Sequence, residues 1–352
     1  MSSPQANHPE IQWLKIASKC SVNLDDGNHR LLTHISHRAM ATDFVAILPD
    51  ENPEQIELTV DALEELNHIE SRLTIYQPES EISLVNRFAA KHPVPVSWST
   101  FRLLERSMEW SRRTEGAFDI TAGPLVDAWG FSKRQGRKPT RKEIDTARER
   151  VGYEKIELDS AKQTVRFNEA GMSMNLGAIG KGFALDQIAS QLRERGVVDF
   201  LLHGGNSSVI ASGNQLADDP KGWAIGLSHP TKPGHRLTGL WLKDQALGTS
   251  GSGKQFFHHR GRRYGHVIDP RSGFPAGDLQ SLTTITSSAT DADACATGLF
   301  VAGSNAVIRW STQEWFQPTI LVRSGDRQDS SEIGCIGEVS WASSPSDRKH
   351  KH

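Results

Sequence analysis

The sequence predicts an α+β domain, in which strands and helices follow one another irregularly rather than in a repeating βαβ succession. Two observations favour this class. Strand-like segments dominate after residue 150, and two helical patterns, at 180–195 and 291–301, interrupt them at uneven intervals. Earlier in the chain, residues 53–73 carry apolar side chains at steps of three and four, which is typical of an amphipathic helix. We therefore expect mixed and antiparallel sheets with helices packed on them.

The elements are predicted in chain order from apolar periodicity and from capping and turn residues. Two strands, at 30–36 and 43–48, flank a turn at 38–42. Beyond the helix at 53–73, a second helix at 100–114 has Ser97 or Ser99 as its expected cap, and a capping box at Thr140 and Glu143 begins a third. Later strands are expected at 155–158, 164–168, 200–203, 208–211, 223–227 and 237–242.

These elements indicate one domain with polar ends. Residues 1–29 are polar and weakly patterned, so we expect a flexible arm there, followed by a single domain over 30–343. Residues 344–352 are expected to form a disordered polar tail.

The overall charge argues against polyanionic partners. The formal net charge is -2, and the only marked basic run is at the C-terminal end. No global positive field is therefore available to hold nucleic acid or an anionic membrane surface. The three cysteines show no C-x-x-C spacing, so neither a disulfide framework nor a zinc site is predicted.

The sequence also shows no pattern typical of a secretory signal or of a membrane span. The apolar runs are too short to span a bilayer, and the first twenty residues lack the apolar stretch of a secretory signal. We expect a cytoplasmic protein without membrane insertion. The oligomeric state is left open.

A glycine-rich stretch, Gly248 to Lys254, resembles a phosphate-binding loop but departs from it in two ways. Gln255 stands where the motif requires Ser or Thr. The residues that follow are aromatic and basic around an Arg-Gly-Arg turn, which predicts a hairpin instead of the helix that such a loop needs. We interpret the stretch as a Thr-Ser-Gly segment leading into a hairpin.

Two other glycine clusters favour an anion site. Residues 174–182 pass from a strand end through glycines into a helix, where backbone N–H groups point outward and where Lys181 is unfavourable unless a phosphate compensates. Gly204 and Gly205 follow a buried strand. Taken singly, each cluster is more often a tight turn than a ligand-binding loop.

The residues around Asp293 indicate a cation site. Asp293 and Thr297 are four residues apart, so on a helix they share one face and can offer a carboxylate and a hydroxyl to one hard cation. Thr290 is the expected helix cap, a role compatible with metal binding. His266, Asp269 and Arg271 lie on a turn bounded by Gly and Pro, which is either a structured loop or part of a site.

Taken together these segments resemble the FAD:protein FMN transferases, the ApbE-like flavin transferase family. The matching blocks run in order from residue 40 to residue 303: MAT at 40–42, LTIYQPESEISLVN at 73–86, GAFDITAGPLVDAWGF at 116–131, NLGAIGKGFALD at 175–186, HGGN at 203–206, GTSG at 248–251, YGHVIDPRSGFP at 264–275 and DADACATGLFVAG at 291–303. The family's fold is implied by this resemblance.

The resemblance also implies the reaction. Such enzymes use Mg²⁺ to cleave the pyrophosphate of FAD, release AMP and attach FMN to a Ser or Thr of an acceptor protein, within a Ser/Thr-Gly-Ala-Thr-like segment. Two alternatives remain open at this point. Water in place of the acceptor hydroxyl would make the protein a hydrolase that yields FMN and AMP, and loss of turnover would leave an FAD-binding protein.

Residue roles are carried over from the matching blocks. Gly180, through its carbonyl, Asp293 and Thr297 are the implied metal ligands. The implied catalytic residues are Asp293, Lys181, which should face a phosphate, and His266, which should take the proton from the acceptor hydroxyl, with Asp269 orienting it or holding the turn. The implied FAD contacts are Met40, Tyr76, Asp119, Thr121, Gly123, Lys181, Asp186, Gly204, Gly205, Thr249, Ser250, His266 and Ile268, with Asp186 meeting ribose or adenine hydroxyls.

The sequence departs from the family pattern at a few positions. Ala41 replaces a usual Gly, Asn206 replaces a common Asp, and Ile120 stands where Pro is frequent. These changes bear on FAD affinity and rate more than on reaction type. Many relatives are periplasmic lipoproteins, so periplasmic export is the family alternative to the cytoplasmic expectation.

Overall fold

The structure, a computed structural model, describes residues 11, 13–16, 32–49, 52–132, 135–216, 219–232, 234–253, 255–326 and 330–343. It confirms the α+β class. The helices are α1 Pro53–Leu73, α2 Glu81–Phe88, α3 Trp98–Arg113, α4 Gly123–Ala128, α5 Arg141–Arg148, α6 Gly180–Glu194, α7 Ala289–Ala302 and α8 Ser304–Trp310, with one 3-10 turn at Tyr153–Lys155.

The strands extend over the whole described chain. They are β1 Leu14–Ile16, β2 Thr33–Ala39, β3 Thr42–Leu48, β4 Val94–Pro95, β5 Ile156–Asp159, β6 Thr164–Phe167, β7 Phe200–Gly204, β8 Ser208–Ser212, β9 Trp223–Ser228, β10 Arg236–Leu242, β11 Ala246–Gly251, β12 Phe256–His259, β13 Arg262–Gly265, β14 Ser281–Thr286, β15 Thr319–Ser324, β16 Ser331–Ile336 and β17 Trp341–Ser343.

A nine-stranded sheet forms the centre of the fold. Its strand order is β1-β16-β15-β14-β11-β8-β7-β3-β2, and each neighbouring pair is antiparallel. Because successive side chains alternate between faces, β11 sends Leu247 to one face and Ser250 to the other. The order places β8 and β11, distant in sequence, side by side.

Helices α1, α6 and α7 cover one face of this sheet and enclose the larger hydrophobic core. The apolar face predicted for 53–73 is the face that α1 buries, through Leu63, Leu66 and Ile69. Asn52 caps this helix by accepting hydrogen bonds from the N–H groups of Glu54 and Gln55. The predicted capping box at Thr140 and Glu143 is also present, at the start of α5.

A smaller sheet, β17-β10-β9, contributes to a second core that includes strands of the nine-stranded sheet. Trp223, Leu240 and Leu242 supply its buried side chains, and Leu201, Val209 and Leu247 belong to the same cluster. The central sheet is thus apolar on both faces around β7, β8 and β11.

The hairpin predicted after the glycine-rich stretch is present as β12 and β13, joined at Arg260 and Gly261. Its inner residues Phe257 and Tyr264 stack on each other and pack near Trp129, in a third apolar cluster. The GTSG segment itself lies in β11, whose partners are β8 and β14, so no phosphate-binding loop of the Walker type is formed.

The structure differs from the sequence prediction at the N-terminal arm. Leu14–Ile16, expected within a flexible arm, forms β1 and pairs with β16 at the edge of the central sheet. The partner is more than three hundred residues away, so no local pattern could have indicated this pairing. The other residues of the arm, apart from 11 and 13, and the predicted tail at 344–352 lie outside the described residues. Among the described helices, none has both the length and the apolar composition needed to cross a lipid bilayer.

Candidate functional site

A cavity of about 1470 Å³ opens where the blocks identified in the sequence converge. Its wall comes from the β2–β3 turn, the C-terminal end of α1, the N-terminal ends of α4 and α6, and from β8, β11 and α7. The cavity continues past the edge of these elements to residues of β9 and β10. Its size exceeds the common range for small-ligand pockets, which leaves room for a large nucleotide and a second reactant.

Asp293 is the buried carboxylate of this cavity. Its side chain is 6% exposed, and the Gly182 N–H donates a hydrogen bond to Oδ2 at 2.8 Å. The Ser208 hydroxyl donates to Oδ1 at 2.6 Å, and the Lys181 ammonium lies 3.9 Å from Oδ2. Burial raises the pKa of Asp293, and the Lys181 charge and the two hydrogen bonds oppose that rise.

Thr297 and Gly180 complete a set of oxygen donors. Thr297 lies one turn after Asp293 on α7, and its hydroxyl is 2.9 Å from that of Ser250 on β11. Gly180, Asp293 and Thr297 all line the cavity. A carboxylate, a hydroxyl and a carbonyl are hard oxygen ligands, the kind that Mg²⁺, Ca²⁺ and Mn²⁺ prefer.

This donor set fits a cation that is shared with a ligand. Among the described residues, no group of three or more His, Cys, Asp or Glu side chains is placed to hold a metal. A site with one carboxylate holds Mg²⁺ well when substrate phosphates supply further oxygens. The buried charge of Asp293, with its nearest ammonium 3.9 Å away, would be compensated by such a cation.

Close packing of backbones positions Asp293. A Cβ at Gly182 would lie 2.0 Å from the carbonyl oxygen of Ala289, and a Cβ at Gly248 would lie 2.3 Å from that of Ala292. Glycine at these two positions therefore lets α6 and β11 approach α7 closely enough for the Gly182 N–H to reach Asp293.

Asp119 lies in the cavity wall before α4 and is held by the loop around it. Its Oδ1 accepts hydrogen bonds from the N–H and the hydroxyl of Thr121, and its Oδ2 accepts one from the N–H of Tyr153 at 2.9 Å. Burial raises the pKa of Asp119 to about 6, although these hydrogen bonds favour the ionised form.

His266 lines the cavity just after β13. Its Nδ1 lies 3.1 Å from the carbonyl oxygen of Gln255. Because a carbonyl only accepts hydrogen bonds, the neutral ring carries its proton on Nδ1 and its lone pair on Nε2. This tautomer suits a base that acts through Nε2.

Several predicted FAD contacts line the same cavity. They are Met40, Tyr76, Asp119, Gly123, Lys181, Thr249, Ser250, His266 and Ile268. Tyr76 is 75% exposed at the rim, whereas Ile268 is buried. Thr249 is bound through its hydroxyl to that of Thr283, 2.9 Å away on β14.

Four of the predicted FAD contacts, namely Thr121, Asp186, Gly204 and Gly205, are not among the residues that line the cavity. Asp186 points to the start of α7, where its carboxylate accepts hydrogen bonds from Ser288, Ala289 and Thr290 and does not line the cavity. Its contact with ribose or adenine stays a prediction. Thr121 is buried behind Asp119 and receives the N–H of Gly152.

Gly204 and Gly205 are not among the residues that line the cavity. A Cβ at Gly204 would meet the ring of Phe44 at 2.9 Å, and one at Gly205 would meet the Thr42 hydroxyl at 2.5 Å. These two glycines therefore serve the packing of β7 against β3. The next residue, Asn206, does line the cavity.

Side-chain contacts bear on two smaller expectations. Ser288, not Thr290, caps α7, because its hydroxyl accepts the N–H of Asp291. Asp269 holds the turn, because its carboxylate accepts hydrogen bonds from the guanidinium and the backbone N–H of Arg271.

Sequence reasoning missed Ser208 and the β9–β10 wall. The sequence marks Ser208 only as the start of a predicted strand, because its contact with Asp293 spans 85 residues. The wall includes Ile225, Leu227 and Leu237, whose alternating apolar pattern indicates a strand but not which cavity it faces.

Comparisons with known proteins identify the family. The model of the ApbE family matches residues 35–318. The FAD:protein FMN transferase of Haemophilus influenzae is 28% identical over 267 residues, which cover 74% of this chain and 76% of that protein. The FAD:protein FMN transferase of Treponema pallidum is 32% identical over 260 residues, covering 69% of this chain and 71% of that protein.

Solved structures show the same fold. The ApbE protein of Thermotoga maritima superposes with a TM-score of 0.75 at 26% identity, over 83% of this chain and 94% of that one. The flavin transferase ApbE of Vibrio cholerae gives a TM-score of 0.73 at 25% identity, over 88% of this chain and 97% of that one. With the family model matched across most of its length, this chain belongs to the ApbE family.

Proposed function

We propose that this protein is a Mg²⁺-dependent FAD:protein FMN transferase, which moves FMN from FAD to a Ser or Thr hydroxyl of an acceptor protein and releases AMP. The observation that carries the proposal is the convergence of Asp293, Thr297, Lys181 and His266 on one cavity large enough for a dinucleotide. Curated relatives with this activity support it.

Asp293, Thr297 and the Gly180 carbonyl would hold the metal ion. Bound there with the pyrophosphate, Mg²⁺ supplies electrostatic stabilisation of the charge that builds on the phosphate oxygens during transfer. Ser208 and the Gly182 N–H hold the Asp293 carboxylate by hydrogen bonds, so that its orientation does not depend on the ligand.

Lys181 and His266 have separate roles in the transfer. Lys181, at the N-terminal end of α6, places a positive charge beside the pyrophosphate, where the helix N-terminus also favours an anion. Nε2 of His266 takes the proton from the acceptor hydroxyl. The hydroxyl oxygen then bonds to the phosphorus of the FMN moiety, and the bond from that phosphorus to the bridging oxygen breaks, so AMP leaves with that oxygen.

The aromatic and apolar part of the cavity would hold the rings of FAD. Tyr76 is exposed at the rim, Met40 is partly buried in the wall, and Ile268 lines the buried side. A tyrosine ring and a methionine thioether are favourable neighbours for planar aromatic groups.

A three-product assay tests the proposal. The purified protein is incubated with FAD, Mg²⁺ and an acceptor domain that carries a Ser-Gly-Ala-Thr segment, and AMP, free FMN and acceptor mass are followed together. We expect AMP in equal amount to the FMN added to the acceptor. AMP matched by free FMN would show a hydrolase, and FAD binding without AMP would show a binding protein; either result contradicts the proposal.

A further inference from the structure

The β12–β13 hairpin presents a basic outer face beside the cavity. The hairpin pairs Phe256 with Gly265 and His258 with Arg263, and a two-residue turn at Arg260 and Gly261 joins its strands. Alternation sends Phe257 and Tyr264 inward to the aromatic cluster around Trp129. The opposite face carries Phe256, His258 and Arg263, whereas Arg260 lies in the turn and Arg262 lies on the side of Tyr264, with its guanidinium 5.4 Å from the centre of that ring. All five of these residues are exposed, and we call them together the hairpin outer face.

The charge of this face is not neutralised locally. No Asp or Glu occurs between residues 255 and 268. Within the described ranges, no acidic side chain lies at salt-bridge distance from Arg260, Arg262 or Arg263. Elsewhere on the described surface, exposed arginines pair with acidic side chains close to them in sequence, as Arg102 does with Glu105. In a chain with a formal net charge of -2, an uncompensated group of arginines is a local exception.

The face is also ordered by contacts among its own side chains. The Arg263 guanidinium lies 3.9 Å from the centre of the Phe256 ring and donates a hydrogen bond to the carbonyl oxygen of Ser252 at 2.6 Å. The ring of His258 meets Phe256 edge-on at 5.4 Å. Arg263 has five N–H donors and uses one of them in the hydrogen bond to Ser252, so the others can still bind a carboxylate.

The hairpin outer face lies next to the proposed base, His266. Phe256 and Arg263 both line the cavity, and His266, the proposed base, follows the hairpin after Gly265. An acceptor segment that brings its hydroxyl to His266 must therefore pass close to the hairpin. Phe256, 42% exposed, adds an apolar contact at the same place.

We propose that the hairpin outer face docks an acidic segment of the acceptor protein, next to the residue that receives FMN. This inference rests on the proposed function, since it assumes a protein acceptor. Carboxylates on either side of the modified Ser or Thr would pair with Arg260, Arg262 and Arg263. Such pairs at a rim steer association and select partners more than they add affinity.

Nucleic acid is the less suitable occupant of this face. Binding to a phosphate backbone uses a stripe of positive charge with several stacking rings, and here the charge is confined to one short hairpin with one exposed phenyl ring. The acceptor of the reaction, in contrast, has to reach this edge of the cavity.

Three labelled peptides test the proposal. They share a central Ser-Gly-Ala-Thr segment and differ only in their flanks, which are rich in Asp and Glu, in Asn and Gln, or in Lys. Binding to the full-length protein is measured by fluorescence anisotropy without FAD, and FMN transfer is measured separately as kcat/KM. The hairpin variant is Arg260→Asn/Arg262→Ser, because Asn tolerates the positive φ of 49° at position 260.

The matched control removes two positive charges elsewhere. Arg102→Ser/Arg195→Ser changes the net charge equally at exposed positions of α3 and at the end of α6, outside the cavity wall. We expect the wild type and this control to bind the acidic peptide about fivefold to tenfold more tightly than the neutral one at low salt. The hairpin variant should lose most of that preference, and FAD affinity should stay the same.

Each other outcome is decisive. Equal binding of the three peptides, or a preference that survives in the hairpin variant, overturns the docking surface, and transfer to all three would then still support the proposed function. A flank preference lost in the hairpin variant, without FMN transfer to any peptide, keeps the surface and contradicts the transferase. A fall in FAD affinity in the variant, or tighter binding of a single-stranded DNA oligonucleotide than of the acidic peptide, assigns the face to another ligand and overturns the proposal.

Discussion

The carboxylate of Asp186 on α6 holds the first turn of α7 at Thr290, whose backbone N–H lies 2.8 Å from Oδ2 and whose hydroxyl donates to the same oxygen. The N–H of Ala289 donates to Oδ1, also at 2.8 Å. A negative charge at a helix N-terminus satisfies N–H groups that have no partner within the helix and is favoured by the helix dipole. Asp186 therefore fixes the helix that carries Asp293 and Thr297.

Replacing this carboxylate should destabilise the fold. We expect Asp186→Ala to lower the free energy of unfolding by about 2–3 kcal/mol, because it leaves several donors without their acceptor. Urea denaturation measures the change, and Asp61→Ala, at an exposed position on α1, serves as the control with a change of about 0.5 kcal/mol or less. Full stability combined with lost FAD affinity would contradict the capping role.

The Ser208 hydroxyl should tune metal binding through Asp293. Ser208→Ala removes the hydrogen bond to Oδ1, and loss of such a contact behind a ligand costs about tenfold or more in metal affinity. We expect a corresponding rise in the Mg²⁺ concentration needed for half-maximal transfer, with the rate largely recovered at saturation. Asp293→Asn should not recover. Ser212→Ala, on the same strand, should behave as wild type, and equal effects of the two serine variants would contradict this explanation.

Removal of the proposed base should separate chemistry from binding. We expect His266→Ala to reduce the rate of FMN transfer by about 10²- to 10⁴-fold, since the acceptor hydroxyl then loses its proton acceptor. The dissociation constant for FAD, from flavin fluorescence, should change by much less. His92→Ala, at an exposed position after α2, is the control. A rate that stays within a few fold of wild type would exclude His266 as the base.

Asp119 should make stability depend on pH. Its pKa is raised to about 6 in the folded protein from an ordinary value of 3.8, so the folded state binds the proton more tightly than the unfolded state. The contribution of this group to stability is therefore greatest below about pH 4 and is lost as the pH rises to about 6, by up to roughly 3 kcal/mol.

The difference between wild type and Asp119→Asn isolates this contribution. Unfolding free energies measured from pH 4 to pH 7 should fall less steeply with rising pH in the variant. Asp127→Asn, which removes an exposed carboxylate from α4, controls for the change in net charge. If both variants follow the wild-type curve, the raised pKa is not present.

Ala41 occupies a backbone conformation that favours glycine. Met40 and Ala41 form the turn between β2 and β3 with φ of 49° and 58°, and a side chain in this left-handed region costs about 1–2 kcal/mol. We expect Ala41→Gly to raise the free energy of unfolding by about 0.5–1 kcal/mol, after the entropy of glycine is subtracted. Ala39→Gly, within β2, should destabilise the protein instead. A loss of stability in Ala41→Gly would show that the turn carries no such strain.

Much of the fold followed from local patterns. The periodicity of α1, the capping box of α5 and the Arg-Gly-Arg turn of the hairpin are properties of neighbouring residues, and the structure confirms all three. The four-residue spacing of Asp293 and Thr297 placed both on one face of α7, because helical geometry alone determines that relationship.

Tertiary structure decided which way each polar side chain points and which partner it binds, because local patterns leave both open. Asp186 was expected to meet a nucleotide, but close packing of α6 on α7 at Gly182 turned it to the start of the neighbouring helix. The same packing, together with the pairing of β8 and β11, brought Ser208 to Asp293 across 85 residues. The sequence by itself determined many of the helices and strands, the order of the family's motifs and the residues of the cavity around Asp293 and Thr297. The antiparallel register and the helix packing determined which donor serves which carboxylate, because those contacts join segments whose distance in the chain gives no local signal.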